Sequence, residues 1–108
     1  MSKAIGYITQ TKNGNFEGIL AMGVNERIKV VPNESKTPNS LEPDYRIFGD
    51  HLAEIGAGWK RTGQTSGKEY ISLTFEHPNI SDRRVYANLG RVKGTKEKKF
   101  AMVWNARQ

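Results

Sequence analysis

Three stretches in the second half of the chain set cations beside flat aromatic rings: Trp59-Lys60-Arg61, Arg83-Arg84-Val85-Tyr86, and residues 91–99 leading into Phe100. Lysine and arginine neutralise phosphates, and an aromatic face stacks a base for on the order of 1 to 3 kcal/mol, so this pairing points to single-stranded nucleic acid. Lys60, Arg61, Arg83, Arg84, Lys96, Lys98 and Lys99 are the candidate phosphate contacts, and Tyr70 and Tyr86 the candidate stacking platforms. Each tyrosine falls opposite the apolar residues of its own segment, Ile71, Leu73 and Phe75 or Val85, Ala87 and Leu89, so strand alternation turns it outward. Trp59 alternates in phase with Ile55 and Ala57, and Trp104 with Phe100 and Met102, which assigns both tryptophans to the core. For residues 96–99 the alternative is a solvated hairpin tip that keeps an edge from pairing with other chains.

Catalytic chemistry has no comparable footing. His51 and His77 stand far apart without metal-ligand spacing and read as surface histidines, and no acidic pair suggests a division into acid and base. Gly56-Ala57-Gly58 lies within a strand pattern and lacks the rest of a dinucleotide fingerprint. With no cysteine among 108 residues, disulfides, thiol catalysis and thiolate metal sites are excluded, and a reducing cytoplasm suits the chain. The expectation is a non-enzymatic protein with neither metal nor cofactor. No apolar run is long enough for a signal peptide or a membrane span, so a cytoplasmic location is expected.

The net charge of +6 is unevenly spread: residues 1–58 carry six Lys/Arg against seven Asp/Glu, residues 59–108 eleven against four. An anionic partner would meet the second half. The alternative function is a protein-interaction module, a homodimer or an accessory or inhibitor protein that occupies another protein's surface; the arrangement of Tyr70, Tyr86, Arg83 and Arg84 discriminates the two.

The elements that must position these residues have a period of two. Strands are expected over 4–9, 16–22, 27–31, 45–48, 53–60, 70–75, 85–89 and 99–105, with turns at Asn13-Gly14, Pro32-Asn33, 62–67 and around Gly94. Residues 35–43, with two prolines and no periodicity, read as a loop. About eight short strands in a single domain, 1–108, predict an all-β fold: a small antiparallel barrel in meander order, with a β-sandwich as the alternative. Gly56 and Gly58 within one strand mark a strong bend or a close backbone approach.

The segments Lys29-Val30-Val31-Pro32-Asn33, Pro43-Asp44-Tyr45-Arg46-Ile47-Phe48, Glu54-Ile55-Gly56-Ala57-Gly58-Trp59-Lys60-Arg61, Gly67-Lys68-Glu69-Tyr70-Ile71-Ser72-Leu73 and Val85-Tyr86-Ala87-Asn88-Leu89 carry a resemblance. In that order, over nearly the whole chain, they resemble the small bacterial proteins grouped as domain-of-unknown-function family 736. The resemblance implies a similar size and frequent coding on plasmids and other mobile elements of proteobacteria, which hints at DNA transfer, plasmid maintenance or counter-defence. It carries no catalytic motif. After Leu89 this chain departs from relatives that tend to be acidic, reading Arg91-Val92-Lys93-Gly94-Thr95-Lys96-Glu97-Lys98-Lys99.

Overall fold

Two-faced strands must hide one face each, and closing the sheet on itself hides every inner face at once while leaving no strand edge unpaired. The computed structural model describes residues 4–21, 25–51, 53–63, 67–77, 83–92 and 98–105. Its strands are β1 (Ala4–Gln10), β2 (Phe16–Ala21), β3 (Asn25–Pro32), β4 (Tyr45–Gly49), β5 (Ala53–Thr62), β6 (Glu69–Phe75), β7 (Val85–Arg91) and β8 (Lys99–Asn105). Each pairs antiparallel with the next, and β8 returns to β1, so the barrel is closed in meander order and the sandwich alternative falls away. The Asn13-Gly14 turn is a three-residue 3-10 turn, Lys12–Gly14. The turn around Gly94 lies outside the described residues. No described helix is long and apolar enough to cross a membrane.

Inside, Ile8, Leu20, Ile28, Ile47, Leu73 and Met102 meet from six strands, all fully buried. Two walls reach this core by the same device. In β5 the pairing with β4 slips between Ile47↔Gly56 and Phe48↔Glu54, and in β1 the pairing with β8 slips between Ala4 and Tyr7. The extra residue is Ile55 in one case and falls at Ile5-Gly6 in the other, and Ile5, Gly6 and Ile55 are all buried. A bulge lets two successive residues face the same way and bends the strand, which a small barrel needs at its corners. Glycine is required there because of crowding: a Cβ on Gly56 would overlap the Thr74 carbonyl oxygen, and one on Gly6 the Ile19 carbonyl oxygen.

The β5 bulge corrects the sequence reading of that strand. Strict alternation put Ile55, Ala57 and Trp59 on one face, but after the bulge the faces exchange. Gly56 and Gly58 turn inward opposite Phe75 and Leu73, while Ala57, Trp59 and Arg61 turn outward opposite Thr74, Ser72 and Tyr70. Trp59 is therefore a half-buried residue of the outer wall. Trp104 is also outside the core, at 47% exposure. It stands opposite Ala87 of β7, one residue before the end of β8.

The loop between β3 and β4 wraps around the Lys36 ammonium, which donates to the Glu42 carbonyl at 2.6 Å and pairs with the Asp44 carboxylate at 3.3 Å. Asp44 joins this loop to the barrel: its N–H donates to the Gly58 carbonyl, and its Oδ2 accepts the Lys60 N–H at 2.8 Å. The Trp59 indole N–H reaches the Leu41 carbonyl at 3.2 Å. Partial burial alone would raise the Asp44 carboxyl, but the Lys60 N–H and the Lys36 ammonium outweigh it and hold the group below its ordinary value of 3.8. A depressed carboxyl contributes stability that is present above the unfolded value and is lost as pH falls through the folded one.

Two outcomes are expected. Gly56→Ala should cost about 3 kcal/mol in urea denaturation, since backbone cannot retreat from the new methyl. Gly14→Ala, in open space at φ 76°, should cost about 1 kcal/mol from its left-handed backbone alone. Second, the urea midpoint of the native protein should fall as pH drops below about 4, and Asp44→Asn, which keeps an acceptor for Lys60 but loses the charge, should flatten that dependence.

Candidate nucleic-acid interface

An antiparallel meander sends alternate connections to opposite ends of the barrel. One end, the mouth, collects the Lys12–Gly14 turn, the loop after β3, the last residues of β5 and β7, and the first of β6 and β8. Lys60, Arg61, Tyr70, Arg91, Lys98 and Lys99 all lie at this end, because the basic half of the chain supplies β5 to β8. Arg83 and Arg84 lie at the opposite end, before β7 begins. Lys96 lies outside the described residues.

The outer wall of β5, β6 and β7 carries a shallow groove of about 530 Å³. Ala57, Ser72 and Thr74 keep its floor low, and Trp59 with Arg61 and Tyr86 with Arg84 contribute its large side chains. Tyr70 is registered directly opposite Arg61 and, like Tyr86, faces outward as alternation requires. The groove is not uniformly basic, since Glu54 and Glu76 also line it. Glu54 is held by Arg46 in a two-point bond at 2.8 and 2.9 Å, which lowers the Glu54 carboxyl and raises the Arg46 guanidinium.

Ion pairing separates the cations into two groups. Arg84 donates to Glu76 at 2.6 Å, and this bond, followed by one to Tyr86, raises its guanidinium above the ordinary value. Among the described residues, the side-chain cations of Lys60, Arg61, Arg91, Lys98 and Lys99 have no carboxylate within 4.0 Å, and of these the Lys60 ammonium is attracted at longer range by Asp44, the carboxylate that accepts its backbone N–H. Four of these five stand over rings instead: Lys60 over Tyr45 at 5.9 Å, Arg61 over Trp59 at 5.9 Å, Arg91 over Phe100 at 5.8 Å and Lys99 over Tyr7 at 5.2 Å. A ring face orients a cation without neutralising it, so Arg61, Arg91 and Lys99 keep a charge that can meet a phosphate, while Lys60 shares part of its field with Asp44.

Sequence reasoning places Arg91 in the basic stretch 91–99 without naming it as a phosphate contact; it follows Leu89 in the inward phase of β7 and emerges at the mouth, a position readable from alternation once the strand's end is known. Other parts it missed. Tyr7 was passed over although it is half exposed beside Ile19. At the far end Glu26 is a buried carboxylate facing inward, bonded by the His51 N–H at 2.8 Å and contacted by His51 Nδ1 at 3.2 Å, so His51 is more than an isolated surface group. The described residues hold no group of three or more His, Asp or Glu placed to bind a metal ion.

No curated protein and no solved structure matches the chain. A family model does match, over residues 4–107. Strand order, the inward glycines of β1 and β5, and the basic mouth are thus features of a chain that belongs to the family described as protein of unknown function (DUF736).

Proposed function

We propose that this protein binds single-stranded nucleic acid with little sequence preference, at the mouth of the barrel and along the adjoining outer face of β5 and β6. The observation that carries the reading is the set of five cations at one barrel end, Lys60, Arg61, Arg91, Lys98 and Lys99, whose side chains form no ion pair within 4.0 Å among the described residues and mostly stand over aromatic rings. Trp59 and Tyr70 flank Arg61 on the outer wall, one beside it in β5 and one opposite it in β6, so a base can stack where its phosphate is neutralised. Arg84 and Tyr86 are secondary in this reading, because Glu76 already engages the guanidinium. The absence of an α-helix among the described residues favours backbone tracking over base-edge readout of a duplex major groove. No bond-making step is involved.

A protein partner is the second reading, favoured by one feature: Tyr7 and Ile19, about half exposed at 49% and 50%, stand side by side on the outer wall of β1 and β2.

Fluorescence anisotropy of labelled single strands at roughly 50 and 200 mM salt tests the first reading. Five phosphate contacts at about 0.7 each in the logarithmic slope predict a loss of affinity of about 100-fold between the two conditions. Replacing Lys60, Arg61 and Lys99 together by glutamine should reduce that slope by about 2, and Trp59→Ala should cost about 1 to 3 kcal/mol at fixed salt. No binding at the lower salt overturns the reading and leaves the Tyr7–Ile19 surface as the place to seek a partner.

A further inference from the structure

The mouth of the barrel is a cup of about 380 Å³. Its size is that of a small-ligand site, and barrel mouths are recurrent places for such sites. The floor is apolar, from Ile71 and Leu89, and closed below by the packed core. Phe16 lies between Tyr45 and Phe100 and meets both edge to face, at centroid distances of 6.0 and 5.7 Å, so flat rings line the walls.

The rim is chemically mixed. Lys60 from β5 and Arg91 from β7 bring two cations whose side chains form no ion pair within 4.0 Å among the described residues. Beside them Glu69 brings a carboxylate with no cation within 4.0 Å among the described residues, and Gln10 an amide that can donate and accept. A fatty acid or a simple aromatic acid would satisfy the floor and the cations but would set its charge against Glu69 and give Gln10 nothing to read. A flat ring that carries both a donating amine and an anionic group satisfies all of them.

We propose that the cup binds a nucleotide whose base has an exocyclic amine, as in adenine, cytosine or guanine. The base lies against the aromatic walls, its amine donates to Glu69, and its phosphate meets Lys60 and Arg91. Because the core closes the cup, a strand enters it by a terminal nucleotide, and in that form the inference rests on the single-strand reading above; a free mononucleotide offers the same chemistry without it.

Calorimetric titration with adenosine monophosphate, purine riboside monophosphate, which lacks the amine, and adenosine tests the cup, and anisotropy with linear and circular deoxyadenylate strands of equal length separates the two sources. Saturable binding of adenosine monophosphate is expected, at least about tenfold tighter than purine riboside monophosphate or adenosine, as loss of one charge-assisted contact requires. Glu69→Gln should erase the preference over purine riboside monophosphate, and Lys60→Gln with Arg91→Gln the preference over adenosine. Linear strands bound more tightly than circular ones, and displaced by adenosine monophosphate, assign the cup to strand ends. Equal binding of both strand forms with retained mononucleotide binding assigns it to the free nucleotide. Strands bound without any mononucleotide binding overturn the cup and leave the single-strand reading standing, and failure of both overturns the two together.

Discussion

The barrel depends on close backbone approach at its glycines, two of which lie at its corners. Where β1 and β5 turn inward, Gly6 and Gly56 lie so close to neighbouring carbonyl oxygens that no side chain fits. The bulges they accompany, at Ile5-Gly6 and at Ile55, bend two walls that are four strands apart around an eight-stranded ring. Closure on this scale needs such corners, because a regular strand cannot supply the local curvature. The same bulge in β5 decides which side of the wall Trp59, Lys60 and Arg61 reach. Core geometry and surface chemistry are thus set by one local irregularity.

Closure also restricts how the protein can meet a partner. An open sheet recruits peptides by adding a strand to its edge, and a closed barrel has no edge to offer. Contacts must then be made through outward side chains, through the loops, or at the ends. Here the outer wall supplies Trp59, Arg61 and Tyr70, and the mouth supplies cations above rings. The loop from β3 to β4, gathered around Lys36 and joined to β5 by Asp44, fixes the backbone at Lys60, which belongs to both surfaces.

Counting basic residues would have ranked Arg84 with Arg61. Their surroundings differ. Arg84 is engaged by Glu76 and Tyr86, while Arg61 stands over the Trp59 ring with no ion pair within 4.0 Å among the described residues. An exposed ion pair contributes little to stability, yet it lowers the charge available to a polyanion. The pairing of individual cations, more than their number, therefore distinguishes Arg61 from Arg84.

The sequence by itself determined the eight strands, their order and most of the outward and inward positions, because side chains alternate along a strand and turn residues punctuate it. Tyr70 and Tyr86 face outward for that reason, and the barrel class follows from short, closely spaced strands. Tertiary structure alone decided the rest. Trp59 left the core because a bulge, readable only as an unplaced glycine signal at Gly56, exchanged the faces of β5. Trp104, in phase with Met102, is left exposed near the end of β8. The cup at the mouth joins Gln10, Phe16, Tyr45, Glu69, Arg91 and Phe100 from six strands. Such a site has no spacing to read along the chain, since closure of the ring, and not proximity in sequence, brings those strands to one opening.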